Sequence, residues 1–115
     1  MLKILGDRAS GKTVRLIKEA IDNNAIFVTT VDKECVIKTA LDRYDTKCIK
    51  VLTPSQFVEE VVIKKSFPKG TKVVIDELSY CLNLIFNNID IIGCADDLYK
   101  TEIVDRRDWD KNIYD

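Results

Sequence analysis

Short apolar runs alternate with helix-patterned segments along most of this chain, and this alternation constrains the fold more than any other feature. The runs of strand length are residues 2–5, 25–31, 47–52, 72–76 and 89–93. The segments with helical spacing or helix-start signals are residues 12–23, 32–44, 53–66 and 79–86. Because strands and helices that alternate form parallel sheets through right-handed crossovers, we predict a three-layer α/β/α fold with a mainly parallel five-stranded sheet.

Capping residues mark two of the predicted helix starts. Asp32 precedes the second helical segment and is suited to cap it. Thr53 is a good N-cap, Pro54 fits the first helical turn, and Gln56 completes a capping box. These signals place the starts of the second and third helices.

The composition of the chain excludes several functional classes. The 115 residues are 46% apolar and 32% charged, with a net charge of −1, as in an ordinary globular protein. Residues 1–50 carry ten basic and seven acidic groups, and residues 51–115 carry eight and twelve. The chain therefore lacks the footprint of a protein that binds nucleic acid by charge alone. No apolar run approaches the ~20 residues of a membrane span, and no signal peptide is indicated, so we expect a cytoplasmic protein without a membrane partner.

The four cysteines are widely separated and favour a structural role. They are Cys35, Cys48, Cys81 and Cys94. None forms a Cys-x-x-Cys pair and the chain has no histidine, which excludes the usual zinc spacings and thiolate–histidine catalysis. Because each lies in an apolar segment, where a free cysteine acts as a small hydrophobe, we predict buried thiols in a reducing compartment.

Residues 6–13, Gly-Asp-Arg-Ala-Ser-Gly-Lys-Thr, follow the first predicted strand and open the first predicted helix. They match G-x-x-x-x-G-K followed by Ser or Thr, in which glycines let backbone N–H groups wrap a polyphosphate. Lys12 would bring positive charge to the β- and γ-phosphates, Thr13 would ligate magnesium, and the helix would offer its dipole. The predicted nucleotide-binding residues, of which Arg8 is also a candidate side-chain contact to phosphate, are Gly6, Asp7, Arg8, Ala9, Ser10, Gly11, Lys12 and Thr13.

Two acids, Asp76 and Glu77, end the apolar run at residues 72–76. A strand buried in a parallel sheet would deliver Asp76 at its carboxyl end, beside the phosphate-binding loop, where such sheets bind ligands. There Asp76 would hold magnesium, directly or through water, and Glu77 would polarise the attacking water as a general base. We therefore predict Thr13 and Asp76 as magnesium residues, with Glu77 and Lys12 as catalytic residues.

On these two motifs the sequence resembles the P-loop NTPases of the branch with a catalytic glutamate, which includes RecA-like ATPases and helicases. The order of the other segments resembles a miniature first motor domain of superfamily 1 helicases. Residues 27–33 are similar to their strand after the first helix, and residues 52–57 to their segment that contacts single strands. Residues 91–93 with Asp96 lie where they carry a γ-phosphate-sensing strand end. The plan is also similar to short uncharacterised P-loop proteins of bacteriophages.

The resemblance covers residues 1–97, which we assign to a P-loop NTPase domain. Residues 98–115 are left as a charged carboxyl-terminal segment, either an edge strand or a tail. Leu78 and Ser79 stand where the helicases have a small residue and a glutamine. The second motor domain, which supplies an arginine finger, has no counterpart in these residues, so we do not expect a helicase.

The resemblance implies a magnesium-dependent ATP-binding protein, a slow ATPase that acts with a protein partner or with further copies of itself. It places this ATPase in nucleic-acid metabolism, in the cytoplasm of a bacteriophage host, and leaves single-stranded nucleic acid open as a partner. Arg106 and Arg107 are candidates for an arginine finger acting in trans, and a solvated tail is the other interpretation. Without such a finger, hydrolysis on this fold is slower by roughly 10³–10⁵-fold.

Two other functions stay open at this point. One is a nucleotide-dependent binding module, in which ATP orders a surface without significant turnover. The other is a small nucleoside or nucleotide kinase, because Ser-Gly-Lys-Thr at residues 10–13 also fits thymidine-kinase-like loops. The kinase is disfavoured because it needs a second-substrate pocket and a mobile lid, usually with several arginines. The chain has only five arginines in all, and it has no paired cysteines for a zinc-binding lid.

Overall fold

The computed structural model describes residues 1–7, 10–46, 49–96 and 100–105, and the chain is an α/β protein with parallel strands. The strands are β1 (Lys3–Leu5), β2 (Ile26–Val28), β3 (Val51–Leu52), β4 (Val73–Ile75) and β5 (Thr101–Ile103). The helices are α1 (Lys12–Asn23), α2 (Lys33–Tyr44), α3 (Pro54–Val58) with its π-helical continuation (Glu59–Ile63), and α4 (Leu78–Ile85). The predicted alternation of strands and helices is confirmed from β1 to α4. None of the helices in these ranges is long and apolar enough to cross a membrane.

The strands form two parallel sheets rather than the predicted single sheet of five. β1 pairs with β5, and β2 lies between β3 and β4. Residues 89–93, predicted as the fifth strand, are irregular, and the fifth strand is instead Thr101–Ile103. The prediction was wrong because an apolar composition gives a segment strand propensity, whereas pairing decides whether it becomes a strand. Here β1 pairs with β5, in the register Ile4↔Glu102.

The core is built around β2, whose three residues are all buried. A strand with parallel neighbours on both edges is expected to be apolar throughout, as Ile26, Phe27 and Val28 are. Helices α1 and α2 pack against each other, α1 also contacts β2, and α2 also contacts β3. The buried cluster around Phe27 consists of Ile17, Ala20, Ala25, Val36, Ala40 and Val51.

The predicted helix starts at α2 and α3 are confirmed. The Asp32 side chain accepts a hydrogen bond from the backbone N–H of Glu34 at 3.3 Å. Thr53 and Gln56 form the capping box: Thr53 Oγ1 accepts from the Gln56 N–H at 3.1 Å, and Gln56 Oε1 accepts from the Thr53 N–H at 3.0 Å. Pro54 is the first residue of α3. Both caps satisfy N–H groups that the first helical turn leaves without a partner.

The prediction of buried cysteines holds for Cys81 and is wrong for Cys35 and Cys94, which are exposed. Cys48 lies outside the described residues. Cys35 is exposed because α2 turns Val36 and Ala40 towards the core, and the residue before Val36 lies about 100° away around a helix of 3.6 residues per turn. An apolar neighbourhood in sequence therefore did not place this thiol in the core.

Candidate functional site

The loop after β1, the start of α1 and the carboxyl ends of β2 and β4 meet at one place. The Thr13 hydroxyl, in the first turn of α1, donates to Asp76 Oδ2 at 3.1 Å and so joins residues 63 positions apart in the chain. β2 and β4 are neighbours, with Val28 opposite Ile75, so the residues after them also lie side by side. Parallel strands bring their carboxyl ends to one edge, which is where such sheets bind ligands.

The loop after β1 has glycine where its geometry requires it. A Cβ on Gly6 would lie 2.7 Å from the carbonyl oxygen of Val104, so a larger residue needs the backbone to shift. Gly11 has φ 95°, in the left-handed region that favours glycine, and precedes the first turn of α1. The Ser10 N–H donates to the Asp7 carbonyl at 3.1 Å and closes a turn within the loop.

Lys12 folds back over this loop. Its ammonium group donates to the carbonyl oxygens of Gly6 and Asp7, at 2.7 Å each. Both partners are neutral, so these contacts leave the positive charge of the ammonium uncompensated. That charge lies close enough to Asp76 to favour the ionised form of its carboxyl. The lysine therefore supplies positive charge at the loop.

Asp76 is a buried carboxylate, 3% exposed, that two hydroxyl groups hold. Thr13 Oγ1 donates to its Oδ2 at 3.1 Å, and Thr29 Oγ1 donates to the same atom at 3.2 Å. Burial raises the pKa of Asp76, because the charged form loses hydration, and the charge of Glu77 acts in the same direction. The two hydroxyls and Lys12 oppose this rise in pKa. A cation at this carboxylate would stabilise its ionised form further.

The sequence patterns did not indicate Thr29 as a site residue. It is fully buried and directly follows β2. Its hydroxyl donates to Asp76 and accepts from the backbone N–H of Val31 at 3.0 Å. In the sequence, Thr29 could be noticed only as a polar residue at the end of an apolar run. The sequence does not show that its strand, β2, lies beside β4, the strand that ends at Asp76.

Glu77 lies at the mouth of the site and is exposed. It occupies the N-cap position of α4 with φ 53°, a left-handed conformation that costs a non-glycine residue about 1–2 kcal/mol. Its side chain lines a groove of about 630 Å³ together with Lys12 and Asp76, between β1 and β4. The Glu77 carboxylate makes no hydrogen bond or ion pair with the residues that the structure describes. It is therefore accessible to water and to a ligand in the groove.

Two other predicted residues, Ser10 and Asp96, lie in different surroundings. Ser10 is buried, and its hydroxyl has no hydrogen-bond partner within the described ranges. Asp96, from the segment similar to a γ-phosphate-sensing strand end, forms an ion pair with Lys3 of β1 at 3.2 Å. The predicted residues that fall outside the described ranges are Arg8, Ala9, Arg106 and Arg107.

The donor atoms of Thr13 and Asp76 suit a magnesium ion. Both residues present oxygen, the ligand that this hard cation prefers. Magnesium is usually held by one or two carboxylates together with substrate phosphates and water. The part of the chain that the structure describes contains no group of three or more His, Cys, Asp or Glu side chains that could hold a metal.

Comparisons with known proteins give one partial similarity. No family model matches the chain, and no solved structure matches it. The chain is similar to ribose-phosphate pyrophosphokinase 1 of Schizosaccharomyces pombe, with 26% identity over 84 residues. This similarity covers 66% of the chain and 20% of the pyrophosphokinase, so the chain spans about a fifth of that relative's length.

Proposed function

We propose that this chain is a three-layer P-loop NTPase domain that binds ATP with magnesium at residues 6–13 and hydrolyses it slowly until a partner completes the site. The observation that carries the proposal is the hydrogen bond of 3.1 Å between Thr13 Oγ1 and Asp76 Oδ2. It joins the start of α1 to the carboxyl end of β4. These are the two positions from which P-loop enzymes hold magnesium. If residues 6–13 were an ordinary glycine-containing turn without a binding role, this contact between the Thr13 hydroxyl and the Asp76 carboxylate would not be expected.

The loop offers the chemistry that a polyphosphate requires. No acidic residue stands in the first turn of α1 itself, and the N–H groups and dipole at this helix start favour a bound anion. Lys12 is held only by the neutral carbonyls of Gly6 and Asp7 among the contacts that the structure gives it. Exchanging these for phosphate oxygens replaces neutral acceptors with charged ones, and charge-assisted hydrogen bonds are about twice as strong.

Thr13 and Asp76 are the residues that would hold magnesium. When bound, the ion would supply positive charge that stabilises the phosphate group being transferred. Asp76 is nearly fully buried and its burial raises its pKa, so the positive charge of a bound cation would favour its ionised form. The phosphates of the nucleotide would supply further oxygen ligands to that cation. This favours joint rather than independent binding of nucleotide and metal.

Glu77 is the acid that would serve hydrolysis. It neighbours Asp76, is exposed to the groove, and is not engaged by another described side chain. In the proposed step, water attacks the γ-phosphorus, Glu77 accepts a proton from that water, and ADP leaves with the electrons of the broken P–O bond. Such help from a general base typically contributes roughly 10²–10⁴-fold to the rate.

The need for a partner is supported by the surface of α4, which begins directly after Glu77. Leu78, Tyr80 and Leu84 of this helix are each about half exposed, and so is Phe86 at its end. Tyr80 and Leu84 are four residues apart and so share one face of the helix, and adjacent exposed apolar side chains mark protein interaction sites more often than those scattered singly. A protein partner or a second copy of the chain at α4 would lie close to the catalytic acid. Single-stranded nucleic acid is a further candidate partner.

A nucleotide-dependent binding module without significant turnover is the second candidate. The left-handed backbone and free carboxylate of Glu77 favour it, because no described residue orients this acid towards a water. In such a module, ATP would order the groove and α4 for a partner, and the acid would have no catalytic part.

A phosphate-release assay with ATP and magnesium, with and without single-stranded DNA, separates the candidates. Slow release that single-stranded DNA or a partner stimulates is expected for the ATPase. Tight binding without release would indicate the module, and ADP release that requires an added nucleoside would indicate a kinase. Absence of both binding and release would contradict the proposal.

A further inference from the structure

Thr29 is fixed at the site through both its backbone and its neighbours in the sheet. Its N–H donates to the Leu52 carbonyl of β3 at 3.0 Å. On the other side, the Asp76 N–H donates to the Val28 carbonyl at 2.9 Å. Thr29 and Asp76 are thus held side by side by sheet hydrogen bonds on both flanks of β2. Their relative position does not depend on a loop.

The direction of the Thr29 hydroxyl proton is also fixed. Its oxygen accepts the Val31 N–H at 3.0 Å, and its single proton is donated to Asp76 Oδ2 at 3.2 Å. A hydroxyl has one proton to donate, and its rotation follows its partners. Thr29 is 0% exposed, so water does not compete for that proton. The hydroxyl is therefore a directed donor to one oxygen of the carboxylate.

Thr13 and Thr29 donate to the same oxygen of Asp76, but we expect only Thr29 to keep its hydrogen bond when nucleotide and magnesium bind. Both reach Asp76 Oδ2, and no residue in the described ranges donates to Oδ1. Thr13 stands at the loop, where its oxygen would be recruited by the cation. Thr29 is buried behind the carboxylate and keeps its contacts. It can hold Oδ2 through the binding event while Oδ1 stays available.

We infer that Thr29 is a positioning residue that fixes the rotation of the Asp76 carboxylate and so presents Oδ1 to the magnesium ion of a bound nucleotide. This inference rests on the proposed function and adds a residue to its site. Groups that orient a metal-ligating carboxylate typically contribute roughly 10–100-fold to metal affinity. The Thr29 hydroxyl should therefore act on the magnesium dependence of nucleotide binding rather than on nucleotide binding as such.

The test compares Thr29→Val, which replaces the hydroxyl with a methyl group, with Thr29→Ser, which keeps the hydroxyl. Thr30→Val is the matched control, because Thr30 is exposed and adjacent. A fluorescent ATP analogue is titrated at increasing magnesium concentrations and again in excess EDTA. We expect the magnesium concentration that gives half-maximal nucleotide binding to be at least about ten-fold higher for Thr29→Val than for the parent. Binding in EDTA should be unchanged, and Thr29→Ser and Thr30→Val should behave like the parent.

The outcomes distinguish this inference from the proposed function. Parental magnesium dependence in folded Thr29→Val overturns the positioning role and leaves the proposed function standing. A parent that binds nucleotide without any effect of magnesium overturns both. If Thr29→Val does not fold, Thr29→Ala is used for the same titration, because it removes the same hydroxyl and introduces a smaller side chain. If both variants unfold while Thr30→Val folds, Thr29 is a structural residue and the inference is wrong.

Discussion

Arg15 of α1 and Glu102 of β5 form a two-point ion pair. The Nε and Nη2 groups of the arginine donate to the two carboxylate oxygens of Glu102, the second at 3.0 Å, and Nη1 donates to Glu19 at 3.1 Å. Because β5 pairs with β1, this ion pair fixes α1 against the strand beside β1. The two elements that flank the loop at residues 6–11, β1 and α1, are thereby both bound to β5.

We expect Glu102→Gln to destabilise the protein at neutral pH and to have no effect in strong acid. The hydrogen bonds from Arg15 lower the pKa of Glu102 in the folded chain. The stabilisation is therefore fully present above the ordinary glutamate pKa, about 4.3, and is lost as the pH falls through the lower folded pKa. Both side chains are partly exposed, so the loss should be about 1 kcal/mol or less.

Urea denaturation of the parent and Glu102→Gln across this pH range measures that difference. Asp90→Asn, at an exposed acid in the irregular segment after α4, is the control. A difference between the parent and Glu102→Gln that stays constant down to strong acid would show that the charge of Glu102 is not its source.

We expect Gly6→Ala to destabilise the protein by about 1–3 kcal/mol, as overpacking of a close contact does. The new methyl group would meet the Val104 carbonyl and the Ser10 side chain. Gly93→Ala is the matched control, since a Cβ there meets nothing within 4 Å, and its effect should be within about 0.5 kcal/mol. Equal stability of the two variants in urea denaturation would refute the close approach at Gly6.

Signals that act between near neighbours in the chain were readable from the sequence. Asp32 and the Thr53 capping box depend on residues two or three positions away, and both are found as predicted. The loop and the acids could be located because each motif is continuous, and Thr13 does lie beside Asp76. The roles of these residues in binding and catalysis stay predictions.

Features that depend on which strands pair could not be predicted. The strand that pairs with β1 lies about 100 residues further along the chain. Residues 89–93 are more apolar than residues 101–103, so their composition made them the better candidate for the fifth strand. Thr29 was missed for the same reason, because its importance arises only when β2 lies beside β4. The contact of Gly6 with Val104 likewise follows from the β1–β5 pairing.

We expect Glu77→Gln to bind ATP like the parent and to hydrolyse it roughly 10²–10⁴-fold more slowly, because the amide cannot accept the proton of the attacking water. The amide matches the carboxylate in size and should preserve the start of α4. Glu59→Gln, an exposed acid in the π-helical stretch, is the control. Single-turnover phosphate release gives the rates. Parental turnover in Glu77→Gln would remove Glu77 as the base, and Asp96 would then be the acid to test.

We expect the parent at low concentration to turn over ATP well below ~1 s⁻¹, by analogy with P-loop enzymes that lack an arginine finger. A partner, or higher protein concentration if the chain self-associates, should raise the rate per molecule. Arg106→Ala or Arg107→Ala should abolish that increase without weakening ATP binding if either supplies the finger. Turnover that is fast and independent of concentration would indicate that the site is completed in cis, with Arg8 as the first residue to test.

Calorimetric titration of ATP in the presence of magnesium tests the central claim most directly. We expect the parent to bind ATP tightly and Lys12→Ala to lose that binding while its circular dichroism spectrum stays parental, because the hydrogen bonds that the structure describes for Lys12 go to the loop carbonyls of Gly6 and Asp7. Lys18→Ala is the control on the same helix, where Lys18 forms an exposed ion pair with Asp22, and it should bind like the parent. Parental affinity in Lys12→Ala, or no binding by the parent, would contradict the assignment of residues 6–13 as a nucleotide site.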